Sequence, residues 1–172
     1  MTPPPTSTSR RAFTLLEMLI VITIIATIAA LVIPSFNDDS RLRLMAASSV
    51  ITSDIELAQV MTISQPDQPM VVRFEPDHHR YHLARASDPA TPINREDTGE
   101  PYRVTLGQGR ASTAEGVTFT TAEIPDNTLA FNPQGGVDDF TTSPRITLSL
   151  AGRTITLDIS ASTGSITETA AP

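Results

Sequence analysis

RRAFTLLEMLIVITIIATIAALVIP, residues 10–34, sets two arginines directly before an apolar run that lasts from Phe13 to Ile33. At about 1.5 Å rise per residue, a helix of that run reaches roughly 31 Å, enough to cross a hydrocarbon core. One charge interrupts it: Glu17, four residues after Phe13. A carboxylate inside a membrane helix costs on the order of 2.5–3.5 kcal/mol, so it needs a partner. A free α-amino group would serve, and a cut between Ala12 and Phe13 would create one close by. Three ordinary readings compete. The run could be a secretory signal cut after Thr27-Ile28-Ala29, before Ala30. It could be a twin-arginine signal around Ser9-Arg10-Arg11-Ala12-Phe13, or an uncut anchor. None of the three needs an acid in the apolar run. The run also exceeds the roughly 7–15 residues of a signal core.

Charge then sets the orientation. Arg10 and Arg11 precede the apolar run, while Asp38 and Asp39 follow it. The positive-inside rule places the N-terminus in the cytoplasm and residues from about 35 onward outside. The formal net charge is −7, and losing Arg10 and Arg11 with a leader takes it to −9. Sequence-independent nucleic-acid binding depends on cationic side chains that neutralise phosphates, so no nucleic-acid partner is expected. There is no cysteine, hence no disulfide and no thiol chemistry. The length leaves room for one globular domain beyond the helix.

Residues 1–9, MTPPPTSTS, offer no apolar face and read as a disordered leader. After Pro34, a second helical stretch runs to about Ser64. Leu44, Ala47, Ile51, Ile55, Ala58 and Met61 step by three or four along one face. Arg41, Arg43, Ser49, Asp54, Glu56 and Gln59 mostly lie off that stripe. The economical reading is one long helix bent at Pro34; a separate core helix after a break is the alternative. Beyond Pro66 the period changes. Residues 70–74 and 81–85 flank a turn at Pro76-Asp77-His78-His79, a hairpin signal. Residues 86–101 carry Pro89, Pro92 and Pro101 and read as a loop. Strands are expected at 103–106, 117–120 and 128–131. A final pair, 145–150 and 154–159, turns at Ala151-Gly152. Ile146, Leu148 and Leu150 alternate with Thr147 and Ser149, giving one buried and one wet face, as in an antiparallel sheet. The tail, 167–172, reads as frayed.

Ala12, Phe13, Thr14, Leu15, Leu16 and Glu17 resemble the prepilin signature of type IV pilins and type II secretion pseudopilins. The signature is a basic leader ending in a small residue, then Phe-Thr-Leu-x-Glu and an apolar run. Ala12 departs from the glycine usual there, and Pro34 falls where such helices commonly carry a proline. Phe131-Asn132-Pro133-Gln134-Gly135-Gly136, the 145–159 hairpin and Thr163-Gly164-Ser165-Ile166 resemble the H-type minor pseudopilin domain, which a fimbrial-biogenesis minor pilin shares.

The resemblance implies a pilin-like α+β fold: a long N-terminal membrane-spanning and amphipathic helix, then an antiparallel β-sheet domain. It divides the chain into a cleaved leader (1–12), a transmembrane helix (13–34), its amphipathic continuation (35–65) and a periplasmic β domain (66–172). Prepilin peptidase would cleave after Ala12 and methylate Phe13. Thr14 and Glu17 would serve assembly, with Glu17 pairing with a neighbour's N-terminal amine. The implied protein is a single-pass inner-membrane subunit of a type II secretion pseudopilus that drives protein export. Its partners are other pseudopilins, major and minor, and exported substrate. A minor pilin of a type IV pilus or DNA-uptake system is the alternative.

Other residue groupings carry less. His78-x-x-x-His82 straddles the hairpin turn and reads as a solvated turn, not as a metal site. Asp138 and Asp139, with Glu123, Asp126 and Asn127 upstream, are the residue types calcium takes, but without EF-hand spacing; a solvated loop is the expectation. Gly107-Gln108-Gly109 lacks the third glycine and the following helix of a dinucleotide site. No G-x-S-x-G elbow appears. The sequence points to no enzyme, metal or cofactor.

Overall fold

The computed structural model describes residues 14–32, 39–138 and 143–171, with backbone alone for 29–32. They fall into two units, one ending at Asp38 and the other comprising Asp39–Pro172. In the first unit, α1 spans Leu15–Val32. Its side chains from Thr14 to Ile28 are all exposed. Its two mid-helix hydroxyls turn back onto the backbone, Thr23 donating to Leu19 O at 2.8 Å and Thr27 to Thr23 O at 2.7 Å. That leaves neither hydroxyl seeking a partner in an apolar medium. The 18 residues reach about 27 Å. Taken alone, no helix among the described residues is long and apolar enough to cross a bilayer. The 13–34 stretch extends beyond α1 into residues outside the described ones, and Pro34 is among these.

The second unit is built around α2, Asp39–Ser64. Leu44, Ala47, Ile51, Ile55 and Ala58 are buried as the periodicity requires, and Met61 packs partly buried against the same core. Burying each of the larger ones contributes about 1.5–3 kcal/mol. The stripe holds one surprise. Asp54, expected off it, is buried at 1% exposure. Position 54 follows Ile51 by three residues and precedes Ala58 by four, so geometry puts it inward, and only partners make that tolerable.

Two antiparallel sheets pack against α2. The first contains β1 (Met70–Glu75), β2 (Arg80–Arg85), β3 (Asp88–Pro92), β4 (Arg103–Thr105) and, beyond β5 (Thr118–Ala122), β6 (Thr128–Ala130). Its order is β3-β2-β1-β6, with β4 also on β2. The second has β5, β7 (Arg145–Leu150), β8 (Arg153–Ile159) and β9 (Ile166–Ala171), in that order. Phe74 of β1 joins the sheets, its ring 5.8 Å from Tyr81 and 5.9 Å from Phe119 of β5. In β7 and β8, Ile146, Leu148, Ile155, Leu157 and Ile159 face inward as the alternation requires. Ala151 and Gly152 both take positive φ, 51° and 81°, in the two-residue turn that suits a right-twisted hairpin.

Two segments depart from the sequence reading. The expected loop at 86–101 contains β3, which pairs with β2 across a register shift at Ala84/Arg85. Its two prolines are compatible with a strand at the sheet edge. The tail read as frayed is β9, in register with β8 from Ile166 to Ala171. It shows no apolar alternation because backbone pairing holds it. Ser48 of α2 adds a hydrogen bond, donating to Glu168 Oε2 at 2.7 Å.

Candidate functional site: the N-terminal segment and the clusters that fix the domain

Thr14 stands immediately before α1, and its Oγ1 accepts a hydrogen bond from Glu17 N at 3.2 Å. Thr14-x-x-Glu17 is thus the first half of a capping box. The hydroxyl satisfies one of the amides that a helix start leaves unpaired. The cap fixes Glu17 in the first turn, at the positive end of the helix dipole, with its side chain exposed. A T-x-x-E pattern ahead of an apolar run carries this signal in the sequence. Ala12 and Phe13 lie outside the described residues.

In the domain, Asp54 draws distant segments together. Tyr81 of β2 donates its hydroxyl to Oδ2 at 2.6 Å, and Tyr102, just ahead of β4, donates to Oδ1 at 2.7 Å. Arg110, from the 3-10 turn at Gly109–Ala114, completes the set with a hydrogen bond to Oδ2. Its guanidinium lies 5.3 Å from the Tyr102 ring centroid, and that of Arg95 lies 5.5 Å from it. One carboxylate is thereby satisfied by three donors. The cluster ties α2 to β2, to the segment before β4 and to the Gly109–Ala114 turn.

Burial, with the Asp54 charge beside it, pushes the Tyr81 hydroxyl well up. Burial and the hydrogen bond to Asp54 push Tyr102 up to about 12. These are the only tyrosines in the chain, and there is no tryptophan. Ultraviolet titration of the folded protein therefore reads this cluster alone. The expected result is little tyrosinate absorbance at pH 10–11, well below that of free tyrosine. The folded state holds protons there that the unfolded chain has lost, so stability falls as pH rises from about 10 to 12. Normal titration near pH 10 in the folded protein would contradict the geometry.

A second cluster joins the two C-terminal motifs. Gln59 Nε2 of α2 donates to Gly135 O at 2.6 Å and to Thr163 O at 2.9 Å. Asn132 Oδ1 accepts from the amides of Gln134 and Gly136, both at 3.0 Å, closing the FNPQGG turn. Val137 N donates to Ala161 O at 2.9 Å, tying that turn to the segment after β8. The motifs at 131–136 and 163–166 thus form one structure, clamped by the helix. Gln59, read as an off-stripe polar residue, is the clamp.

The remaining groups separate. His78 and His79 are exposed in the turn, but His82 is buried at 2%, correcting the reading of a solvated turn. Its place in β2, with Nε2 3.0 Å from Pro89 O of β3, accounts for that. Asp138 is exposed and Asp139 lies outside the described residues. Among the described residues no group of three or more His, Cys, Asp or Glu could hold a metal ion.

The family model for the prokaryotic N-terminal methylation motif matches residues 7–33. Residues 7–33 thus carry an N-terminal methylation motif, ahead of an α+β domain. A solved structure it is similar to is the minor pseudopilin EpsH from the type 2 secretion system of Vibrio cholerae. The identity is 14%, the TM-score 0.48, and the likeness covers 74% of this chain and 97% of that one. No curated protein sequence matches the chain.

Proposed function

We propose that this chain is a minor pseudopilin of a type II secretion system, a structural subunit of the pseudopilus that drives protein export. The observation that carries the reading is the methylation motif at residues 7–33, with Glu17 in an exposed, capped first turn. Prepilin peptidase cleaves between Ala12 and Phe13 and methylates the new amine. Residues 13–34 then cross the inner membrane once, with the N-terminus cytoplasmic and the domain periplasmic. In the filament, Glu17 meets the N-terminal amine of a neighbouring major or minor pseudopilin, which offsets the cost of an acid in an apolar bundle. The acidic α+β domain is the surface offered to other subunits or to exported substrate.

Glu17→Leu tests the assembly step. The substitution removes the partner for the amine and leaves the leader and the scissile bond unchanged. We expect cleaved protein to accumulate in the membrane, with its cross-linking to other pseudopilins reduced at least tenfold. That loss corresponds to about 1.4 kcal/mol or more per contact. Cross-linking at the wild-type level would remove the role given to Glu17. Cross-linking to subunits of a pilus or DNA-uptake machine instead would reassign the filament.

A further inference from the structure

The register between β8 and β9 fixes which backbone groups β9 turns outward. Ser160 N donates to Ser165 O at 2.9 Å, so those two residues form a hydrogen-bonded pair. Bonded and non-bonded pairs alternate along an antiparallel ladder. Asp158 with Thr167, Thr156 with Thr169 and Thr154 with Ala171 are therefore the bonded pairs of β8 and β9. Ile159, paired with Ile166, gives its N–H to Pro144 O ahead of β7, as the alternation requires. The N–H and C=O groups of Ile166, Glu168 and Ala170 thus point away from β8. β9 ends its sheet, and among the described residues these groups meet no backbone partner.

Edge strands ordinarily carry something that blocks pairing: a proline, a lysine, a bulge, a short length or a covering segment. β3 has two prolines, β6 is three residues long, and β5 lies against the Pro76–His78 turn. β9 is six residues long, pairs with β8 without a register shift and contains no Pro, Lys or Arg. Its one charge, Glu168, is turned toward α2, where Oε2 takes the Ser48 hydroxyl at 2.7 Å. Between the start of α2 and the end of β9 runs a groove of about 420 Å³, lined by Met45, Ile155 and Ala170 and flanked by Arg41. Met45 is exposed in it. Charge then selects the occupant. A second copy laid antiparallel over all three outward residues would set the two Glu168 side chains directly opposite each other on one face, which is destabilising. A strand of different sequence avoids that clash.

We propose that the β9 edge is a docking site for an extended strand of another protein, added antiparallel to β9 and bonded through Ile166, Glu168 and Ala170. Main-chain hydrogen bonds supply the attachment, and alternate side chains supply the choice of partner. On the side facing α2, the incoming strand carries a Lys or Arg opposite Glu168. Ser48 occupies one Glu168 oxygen, which leaves Oε1 for that cation. Opposite Ala170 it carries an apolar side chain that enters the groove beside Met45. Two residues further, toward Arg41, it carries an acid.

The test uses the full chain in detergent micelles with an excess of the peptide acetyl-Asp-Thr-Val-Thr-Lys-Thr-Val-amide, and NMR follows amide hydrogen exchange residue by residue. Strand addition should slow exchange at Ile166, Glu168 and Ala170 about tenfold or more. Thr167, Thr169 and Ala171, already bonded to β8, should not change. Replacing the peptide's Lys by Glu should weaken binding about tenfold, a favourable cross-strand pair being exchanged for a repulsive one. Ala170→Pro removes one outward N–H and no bond to β8, a change that edge strands tolerate. Its thermal unfolding should match that of the unsubstituted chain, and the peptide should no longer protect the edge. In the unsubstituted chain, uniform slowing along β9, no slowing with peptide in excess, or equal binding of the two peptides would overturn the proposal. So would protection of the same three amides that rises with protein concentration without peptide, which would make a second copy the occupant.

Discussion

Asp54→Ala is expected to lower the stability of the domain by about 3–5 kcal/mol, the scale of leaving two buried hydroxyls without their acceptor beside an emptied space. The carboxylate is the common acceptor for Tyr81, Tyr102 and Arg110, which come from three separate places in the chain. Removing it leaves two buried hydroxyls without their acceptor in a site that alanine cannot fill, while Arg110, half-buried, loses its ion-pair partner. Thermal unfolding should drop by about 10–20 °C. The single change Tyr81→Phe should cost only about 1 kcal/mol, because it removes one donor and leaves the carboxylate with two others. Replacing all four residues with apolar ones of similar volume should recover much of the loss, since a buried ionic set is often matched by good packing. An Asp54→Ala protein within 1 kcal/mol of the unsubstituted one would show that the cluster is solvated and its geometry incidental.

Gly164→Ala is expected to cost about 2–4 kcal/mol, for two additive reasons. The residue has φ +68°, where a side chain is disfavoured. A Cβ there would also sit on the carbonyl oxygen of Gly135 and 2.5 Å from Gln59 Nε2. Both are members of the clamp, so the substitution pries the two C-terminal turns off α2. Gly152→Ala separates the terms. Its φ is +81° and nothing lies within 4 Å of the added carbon, so only the backbone term of about 1–2 kcal/mol applies. Chemical denaturation of the two variants reads the difference. Equal losses would mean that the clamp contributes nothing beyond backbone conformation.

What the sequence makes legible follows from which forces leave a period. The inward stripe of α2 and the alternation of β7 and β8 are hydrophobic, and burial of one face writes itself as a step of three to four, or of two. The turn at Ala151-Gly152 is legible because it lies between two such runs. β3 and β9 are not, because backbone hydrogen bonds to β2 and β8 hold them and leave no side-chain pattern. Asp54 is hidden for a different reason. Its partners lie 27, 48 and 56 residues away, so nothing nearby distinguishes a buried acid from a solvated one. Gln59 is hidden likewise, being specified by carbonyls at 135 and 163. At the N-terminus the reverse holds. Order and spacing of Phe13, Thr14 and Glu17 carry the methylation motif, and the cap from Thr14 to Glu17 shows how two of those residues act on each other.

Pilin-type processing is tested by intact and N-terminal peptide mass spectrometry of the protein from the membrane fraction of its native host. The expected result is an N-terminus at Phe13 bearing one added methyl group. A start at Ala30, or an uncut leader from Met1 in cells with an active prepilin peptidase, would contradict it.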